Sequence, residues 1–229
     1  MIKKMFLQYG FNLSEKQEKQ FQEFLILFKD WNSKINLSSI KEDNEILEKH
    51  FIDSVLSTKY FNFNNKKILD LGTGGGFPCI PLSIITNANF VALDSVQKKL
   101  KVVESISKNL ELNISIIHGR AEDYGQDKDY REKFDYVLSR AVAPWSVLLE
   151  ICLPFLKIGG SFIAYQGPAI YEDLEKHENL EKKLGGTIKN IFEEKLGESK
   201  RVFIEIRKIK NCPNQFPRKA GVPKKDPLK

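Results

Sequence analysis

The sequence predicts an α/β fold, in which a mostly parallel seven-stranded sheet carries helices on both faces and follows an N-terminal helical extension. Three observations predict it. Apolar, strand-like runs alternate with helical patterns through residues 67–166. The first of these strands runs directly into a glycine-rich turn. Two β-rich stretches at 187–195 and 201–209 then close the pattern, as an antiparallel hairpin would.

The first 65 residues are predicted to be helical. Ser14 and Gln17 have the spacing of a capping box, and the apolar residues that follow recur at helical intervals, which predicts a helix over 14–31. A second amphipathic pattern predicts a helix over 44–58. Together they define a helical extension, 1–65, that precedes the first strand.

The sheet domain is predicted to span 66–210. Its strands are predicted over 67–71, 90–94, 114–117, 134–140 and 160–166, ahead of the terminal hairpin. Its helices are predicted from the glycine turn to residue 85 and over 97–110, 145–156 and 169–184. Pro78 and Pro81 suit the first turn of a helix, because the amides there have no intrahelical partner. The last stretch, 211–229, is rich in proline and lysine and is predicted to be a basic tail.

The composition of the chain argues against a membrane protein, a secreted protein and a metalloprotein. No apolar run approaches the roughly 20 residues of a membrane span, and the N-terminus lacks the apolar stretch of a signal peptide, so a soluble cytoplasmic protein is expected. The three cysteines and three histidines form no metal-ligand or catalytic pattern, so no metal is expected. The net charge is +6, and eleven cations face three anions from residue 195 to the end. This distribution favours a polyanionic partner.

The glycine turn indicates a small charged cofactor. Gly72, Gly74 and Gly76 can adopt positive φ and let the backbone approach a ligand where a Cβ would clash. The dinucleotide fingerprint Gly-x-Gly-x-x-Gly fails, because the sixth position counted from Gly72 is Phe77. With Asp70 ahead of it, the turn instead resembles the S-adenosylmethionine loop of Rossmann-like methyltransferases. A carboxylate there suits a ligand with an ammonium group, and an ordinary glycine-rich turn is the alternative.

Polar residues at strand ends are the other candidates, since ligands lie outside the carboxyl ends of the strands in open α/β sheets. Asp94 is predicted to bind both ribose hydroxyls, with helix capping as its alternative. Ala121 and Glu122 could read an adenine edge through a backbone amide and a carboxylate, although an acidic loop is usually solvated. Arg140 is a candidate ligand contact, with a surface salt bridge as its alternative.

Beyond these candidates, sequence motifs resemble one family over nearly the whole chain. They lie at 31–38, 49–54, 70–78, 80–82, 94–99, 120–122, 139–141, 217–223 and 227–228. The family is the bacterial ribosomal RNA small subunit methyltransferase G, also called glucose-inhibited division protein B. One departure is Gln166, where the family often has lysine.

The resemblance implies a class I methyltransferase that uses S-adenosylmethionine, releases S-adenosylhomocysteine and methylates N7 of a guanine, position 527, in 16S ribosomal RNA. The partner would be that RNA or the small ribosomal subunit, with no membrane and no metal. By similarity, the cofactor site would include Gly72, Phe77, Ala121, Glu122 and Arg140. The predicted RNA-binding residues are Lys98, Arg120, Arg218 and Lys219, for each of which a solvated surface charge is the alternative.

The chemistry of guanine N7 requires few catalytic groups. N7 carries an in-plane lone pair and no proton, so no general base is needed and orientation supplies most of the acceleration. Arg140, the one predicted catalytic residue, should therefore contact O6, a phosphate or the cofactor carboxylate rather than N7. His50, His118 and His177 are predicted not to be catalytic. Two rival functions remain open: an enzyme acting on a small metabolite, and a non-catalytic RNA-binding module.

Overall fold

A computed structural model describes residues 1–229 and contains one seven-stranded sheet in the order β3-β2-β1-β4-β5-β7-β6. The strands are β1 (Lys67–Leu71), β2 (Asn89–Asp94), β3 (Ile114–His118), β4 (Phe134–Arg140), β5 (Leu156–Gln166), β6 (Gly186–Leu196) and β7 (Ser199–Lys208). The first five strands pair in parallel, whereas β7 is antiparallel to both of its neighbours. The predicted fold class, including the terminal hairpin, is confirmed.

Ten helical elements surround the sheet. They are α1 (Ile2–Gln8), α2 (Glu15–Ile35), α3 (43–59), α4 (Cys79–Ile85), α5 (Gln97–Asn109), α6 (Ala121–Gln126), α7 (Trp145–Cys152), α8 (Ile170–Lys176), α9 (Leu180–Lys183) and α10 (Val222–Lys225). α3 is one continuous helical segment whose middle, Leu47–Ile52, is a π-helical turn. No helix is both long enough and apolar enough to cross a membrane.

The predicted N-terminal helices form, and the capping box is present. The Ser14 hydroxyl accepts the Gln17 amide while the Gln17 side chain accepts the Ser14 amide. α2 ends four residues later than predicted, where Asn36 adopts a left-handed conformation with φ 50°. α1 is not predicted from the sequence, and Phe6 on its inner face is fully buried.

Two helix predictions and one loop prediction in the sheet domain are corrected. The helix predicted over 145–156 leaves regular α geometry at Cys152, ahead of a turn that contains Pro154, a residue without the amide proton an α-helix needs. The helix predicted over 169–184 is two short helices, separated near Asn179 with φ 63°. The loop after β3, predicted without regular structure, contains α6.

Two apolar clusters cover the two faces of the sheet. One joins the N-terminal extension to α4, α5 and one sheet face, and its centre includes the buried rings of Phe24, Phe51 and Phe77. The other joins α7 and the opposite face, with Trp145 against Phe162. The extension is therefore part of the main core, and it stands over the carboxyl end of the sheet on one side.

The final stretch is packed against the sheet domain rather than extended into solvent, which corrects its description as a tail. Cys212, Pro217 and Pro223 are buried. The proline-rich composition suggests a free segment because prolines do not form regular elements. Here the prolines lie on the surface of α6 and α7, and backbone carbonyls between them accept hydrogen bonds from side chains of the domain.

Candidate functional site

The glycine turn is held against the end of β2 by its backbone amides. Gly72, Gly74 and Gly76 have φ values of 75°, 57° and 92°, in the left-handed region that favours glycine. The Gly74 amide donates to Oδ2 of Asp94 at 3.0 Å. A Cβ at Gly72 would lie 2.4 Å from a methyl carbon of Val142, which belongs to the loop after β4. The positive φ values that the glycine spacing predicts are thus confirmed, and at Gly72 the close approach is to a side chain of the same protein.

Asp94 fixes the turn from the end of β2. The carboxylate is 7% exposed, and its two oxygens accept one backbone amide each, from Gly74 at 3.0 Å and from Val96 at 2.8 Å. It is not the helix cap, because the N-cap of α5 is Val96. Each carboxylate oxygen has a second lone pair, so the group can also accept two hydroxyl donors.

Asp70 lies beneath the turn and is 1% exposed. Its Oδ2 accepts the Thr73 hydroxyl at 2.7 Å and the Cys79 amide at 3.2 Å, whereas its Oδ1 is buried without a partner. Burial raises the pKa of Asp70 to about 7, against the lowering effects of those two hydrogen bonds and of the Arg140 charge. A half-satisfied, buried carboxyl beside a glycine turn fits a ligand that brings an ammonium group.

The raised pKa predicts that stability falls as the pH rises. The folded protein holds the Asp70 proton up to about pH 7, whereas the unfolded chain loses it near pH 4, so the stabilisation present below pH 4 is lost between pH 4 and 7. Asp70→Asn should remove this pH dependence of the free energy of unfolding, which in the wild type is on the order of 4 kcal/mol. Denaturant unfolding at several pH values from 4 to 8 measures it. Asp129→Asn, at an exposed carboxylate, is the control, and equal profiles for wild type and Asp70→Asn would contradict the prediction.

Arg140 ends β4 and contacts α3. Nη1 donates to Oδ2 of Asp53 at 2.8 Å and to the Lys49 carbonyl at 3.1 Å, and Nη2 lies 3.3 Å from Nδ1 of His50. The guanidinium carbon is 5.1 Å from the centre of the Phe77 ring. These contacts use three of the five N–H groups of arginine. The side chain is 12% exposed, so two donors stay available beside the glycine turn.

The π turn in α3 makes one of those contacts possible. The Asp53 amide donates to the Glu48 carbonyl, five residues back, instead of the Lys49 carbonyl four residues back. The Lys49 carbonyl is thereby free to accept from Arg140. Such turns often occur at functional sites.

Asp53 and Arg201 form a charged cluster with Arg140, called the arginine cluster below, and neither residue is predicted from the sequence as part of the site. Asp53 is completely buried on α3, and Arg201 on β7 donates to both of its oxygens, from Nε to Oδ1 and from Nη2 to Oδ2, the latter at 2.9 Å. Asp53 therefore pairs with both Arg201 and Arg140. Arg201 also donates to the carbonyl of Gln166 at 3.1 Å. Asp53 lies within the 49–54 motif, but nothing in the sequence pairs it with a residue 148 positions away.

His50 is neutral in this cluster. Burial, followed by the nearby Arg140 charge, lowers the pKa of His50 to about 4. An arginine can only donate, so Nδ1 of His50 accepts from Arg140 and Nε2 carries the proton, which points at the Ser38 hydroxyl 2.8 Å away. The ring stacks on Phe77 with centroids 4.8 Å apart. His50 thus orients its neighbours.

A cavity of about 850 Å³ opens between the glycine turn, α3 and the turn of the terminal hairpin. Its lining includes Gly72, Gly74, Phe77 and Arg140 of the predicted residues, together with Ser38, His50, Lys99 and Arg201. Five predicted cofactor residues lie outside the cavity lining: Asp70, Gly76, Asp94, Ala121 and Glu122. The four predicted RNA-binding residues do not line the cavity either. No group of three His, Cys, Asp or Glu side chains is arranged to hold a metal.

The start of α6 brings the remaining predicted residues beside the end of β3. Ala121 is buried and Glu122 is half-buried in the first turn, where Oε1 of Glu122 accepts the Gly221 amide at 2.9 Å. Arg120 precedes the helix and is exposed. Lys98 and Lys219 are also exposed, whereas Arg218 pairs with the buried Glu150.

Comparison with known proteins gives a consistent result. The family model described as rRNA small subunit methyltransferase G matches residues 17–202. The ribosomal RNA small subunit methyltransferase G of Clostridium tetani is 44% identical over 225 residues, covering 96% of this chain and 94% of that protein. The one of Clostridium novyi is 45% identical over 223 residues, covering 94% and 90%. The crystal structure of M. jannaschii TYW2 in complex with AdoMet shares the fold at a TM-score of 0.57 and 18% identity, covering 75% of this chain and 80% of that one.

Proposed function

Because the chain belongs to the rRNA small subunit methyltransferase G family, we propose that it methylates N7 of the guanine at position 527 of 16S ribosomal RNA. It is a methyltransferase of the predicted class, with S-adenosylmethionine as methyl donor. Its partner is 16S ribosomal RNA, and whether this is free RNA or a small subunit is decided by the assay below. We place the reaction in the cytoplasm, where bacterial ribosomes assemble.

The cofactor site proposed here runs along the carboxyl ends of β1, β2 and β3. Asp94 would accept the two ribose hydroxyls, since each of its oxygens has one remaining lone pair. The free oxygen of Asp70 would receive the ammonium group, and Ala121 and Glu122 would bound the adenine. The backbone of Gly72, Gly74 and Gly76 and the ring of Phe77 would support the methionine part.

The bound cofactor supplies an electrophilic methyl group on a sulfonium. In the transfer it would supply, the new N7–carbon bond would replace the carbon–sulfur bond, whose electron pair would stay on sulfur in S-adenosylhomocysteine. The positive charge passes to the guanine ring, and no proton moves in this step. The chain therefore has to orient the two partners, and effective molarities of about 10⁵ M or more show how much orientation contributes.

The arginine cluster suits this charge distribution. His50 adds no charge, because its pKa is about 4, and Asp53 compensates part of the Arg140 and Arg201 charge. The two free donors of Arg140 would bind guanine O6, a phosphate or the cofactor carboxylate. An acceptor base in the adjoining cavity must leave its helix, because the deep major groove of A-form RNA hides N7.

The observation that carries this proposal is the glycine turn joined to Asp94 within a chain whose family model matches residues 17–202, from α2 to the start of β7. The test is transfer of a radiolabelled methyl group to small subunits, naked 16S ribosomal RNA and a metabolite pool, followed by mapping of the labelled nucleotide. Label at N7 of guanine 527 is expected. Label on a metabolite would support the first rival function, and cofactor binding without label on any substrate would support the second.

Exposed cations near the site are proposed to hold flanking phosphates. Lys98 and Arg120 follow β2 and β3, and Lys219 lies close to Gly221, which contacts Glu122. None of the three has an ion-pair partner. The proposal leaves out Arg218, because its guanidinium already binds Glu150.

Lys98→Ala and Arg120→Ala are each expected to weaken RNA binding about threefold and to reduce the salt dependence of binding by about one charge. Filter binding of 16S ribosomal RNA at several salt concentrations measures both quantities. Lys176→Ala, on the exposed face of α8, is the control because Lys176 pairs with Glu172. Unchanged salt slopes would remove both residues from the RNA interface.

A further inference from the structure

The C-terminal segment, residues 211–226, contains the motif Pro217–Pro223, of which the proposed function uses only Lys219. The family model matches residues 17–202, so this segment lies outside it. Its composition predicts a basic RNA-binding tail, but its contacts are with α6 and α7. What those contacts hold in place is the first turn of α6, where Glu122 lies.

One arginine anchors the beginning of the C-terminal segment. Nη2 of Arg131 donates to the carbonyls of Cys212 and Pro213 at 2.8 and 3.3 Å, and Nη1 donates to that of Phe216 at 2.7 Å. The same Nη1 donates to the carbonyl of Gly125, within α6, at 2.9 Å. Arg131 therefore ties the segment directly to α6.

The side of α6 facing the segment fits it closely. Nε2 of Gln126 donates to the carbonyls of Asn214 and Pro217 at 3.0 and 2.8 Å. A Cβ at Gly125 would lie 2.7 Å from Cγ of Pro217, so a side chain there would displace the segment. This packing fixes the distance between α6 and the segment.

A buried ion pair anchors the segment to α7. Arg218 donates from Nε and Nη2 to the two oxygens of Glu150 at 2.9 and 2.7 Å, and its own amide donates to Oε1 of Glu150 at 2.9 Å. Glu150 is completely buried. Nη2 of Arg218 also donates to the Asp226 carbonyl at 2.8 Å, which closes residues 218–226 into a compact turn.

That turn delivers one backbone amide to Glu122. The Gly221 amide donates to Oε1 of Glu122 at 2.9 Å, and Gly221 has φ 85°. Oε2 of Glu122 has no hydrogen-bond partner within the chain. A glutamate side chain otherwise samples many rotamers, and holding one of them costs conformational entropy. The segment therefore holds Glu122 with one oxygen occupied and the other oxygen free.

We propose that the C-terminal segment is a positioning element of the cofactor site, which orients Glu122 through the Gly221 amide so that the free oxygen accepts the exocyclic amino group of adenine. This rests on the proposed function, since it concerns the adenine end of the same site. The segment thus contributes to the choice of purine as well as to affinity. A purine with a carbonyl at that position offers a lone pair to the carboxylate and is repelled.

Two ligands distinguish this role from general stabilisation: S-adenosylhomocysteine, and S-inosylhomocysteine, in which a carbonyl replaces the amino group. Calorimetry should show wild type binding the adenine ligand more tightly. A chain that ends at residue 217 should lose about tenfold for the adenine ligand and much less for the inosine ligand. In the Glu122→Gln background, the same truncation should have no further effect on this preference, because coupled groups are not additive.

The truncation also removes Arg218, which leaves Glu150 buried without its partner and can prevent folding. Gln126→Ala is therefore the second variant, since it removes two hydrogen bonds from an exposed side chain, and it should reduce the adenine preference about threefold. Lys224→Ala, at an exposed lysine of α10, should leave both affinities unchanged.

The outcomes separate the two proposals. If wild type binds neither ligand, the proposed function fails. If wild type prefers adenine but the folded variants, truncated or Gln126→Ala, keep that preference in full, only the role of the C-terminal segment fails. Equal loss of both ligands on truncation would also overturn it, because that is the result expected of a merely structural element.

Discussion

Asp94→Ala is expected to weaken S-adenosylmethionine binding about 100-fold. In the proposed site this removes the acceptor of two ribose hydroxyls, and a hydrogen bond to a charged group contributes about 1.5–3 kcal/mol. The Gly74 amide also loses its acceptor, which loosens the glycine turn. Calorimetry with the purified variant measures the affinity, and methyl transfer should fall in parallel at low cofactor concentration.

A ligand control separates the ribose contact from the loosened turn. The 2′-deoxyribose analogue of S-adenosylhomocysteine should bind wild type more weakly than the parent ligand does, because one hydroxyl donor is missing. Asp94→Ala should bind both ligands equally, since the acceptor is absent. If the variant still discriminates against the analogue, or binds the cofactor within about twofold of wild type, Asp94 does not contact the ribose.

Asp53→Ala is expected to destabilise the fold by about 3 kcal/mol. Its carboxylate is completely buried and pairs with Arg140 and Arg201, whose side chains are 12% and 21% exposed. Without it, two like charges face each other between α3, β4 and β7. Partial exposure lets water compensate some of this cost, which is why the lower end of the range for buried pairs is expected. Denaturant unfolding measures the change.

Methyl transfer by Asp53→Ala should fall even where the protein stays folded, because Arg140 and Arg201 lose the group that holds them beside the cavity. Asp30→Ala is the matched control. It breaks an exposed ion pair with Lys34 on α2, away from the cavity, so stability and activity should stay near those of wild type. A stable, fully active Asp53→Ala enzyme would show that the arginine cluster has no part in the reaction.

The local part of the site is predictable from the sequence, and the part between distant elements is not. The strand ending at Leu71, the alternating glycines and Asp94 are read from short-range patterns, because backbone geometry determines which residues fit there. The pairing of Asp53 with Arg201 joins residues 148 positions apart, and no local pattern reports it.

Composition misleads where packing decides the outcome. Prolines and lysines predict a solvated tail after residue 210, yet Arg218 is the partner of a buried glutamate. The charge of that arginine is visible in the sequence, but Glu150 lies inside an apolar helical run where its partner is not indicated. Likewise α6 is only six residues long, and the contacts of the C-terminal segment compensate for its short span.

The π turn of α3 determines the direction in which each later side chain of that helix points. One residue adds about 100° to an α-helix, so the extra residue in the turn rotates Asp53 by about that angle relative to an uninterrupted helix. Regular α winding through the same residues would turn the carboxylate away from both arginines. The wide turn is thus a geometric requirement for the pairing of Asp53 with Arg140 and Arg201, in addition to the identity of these three residues.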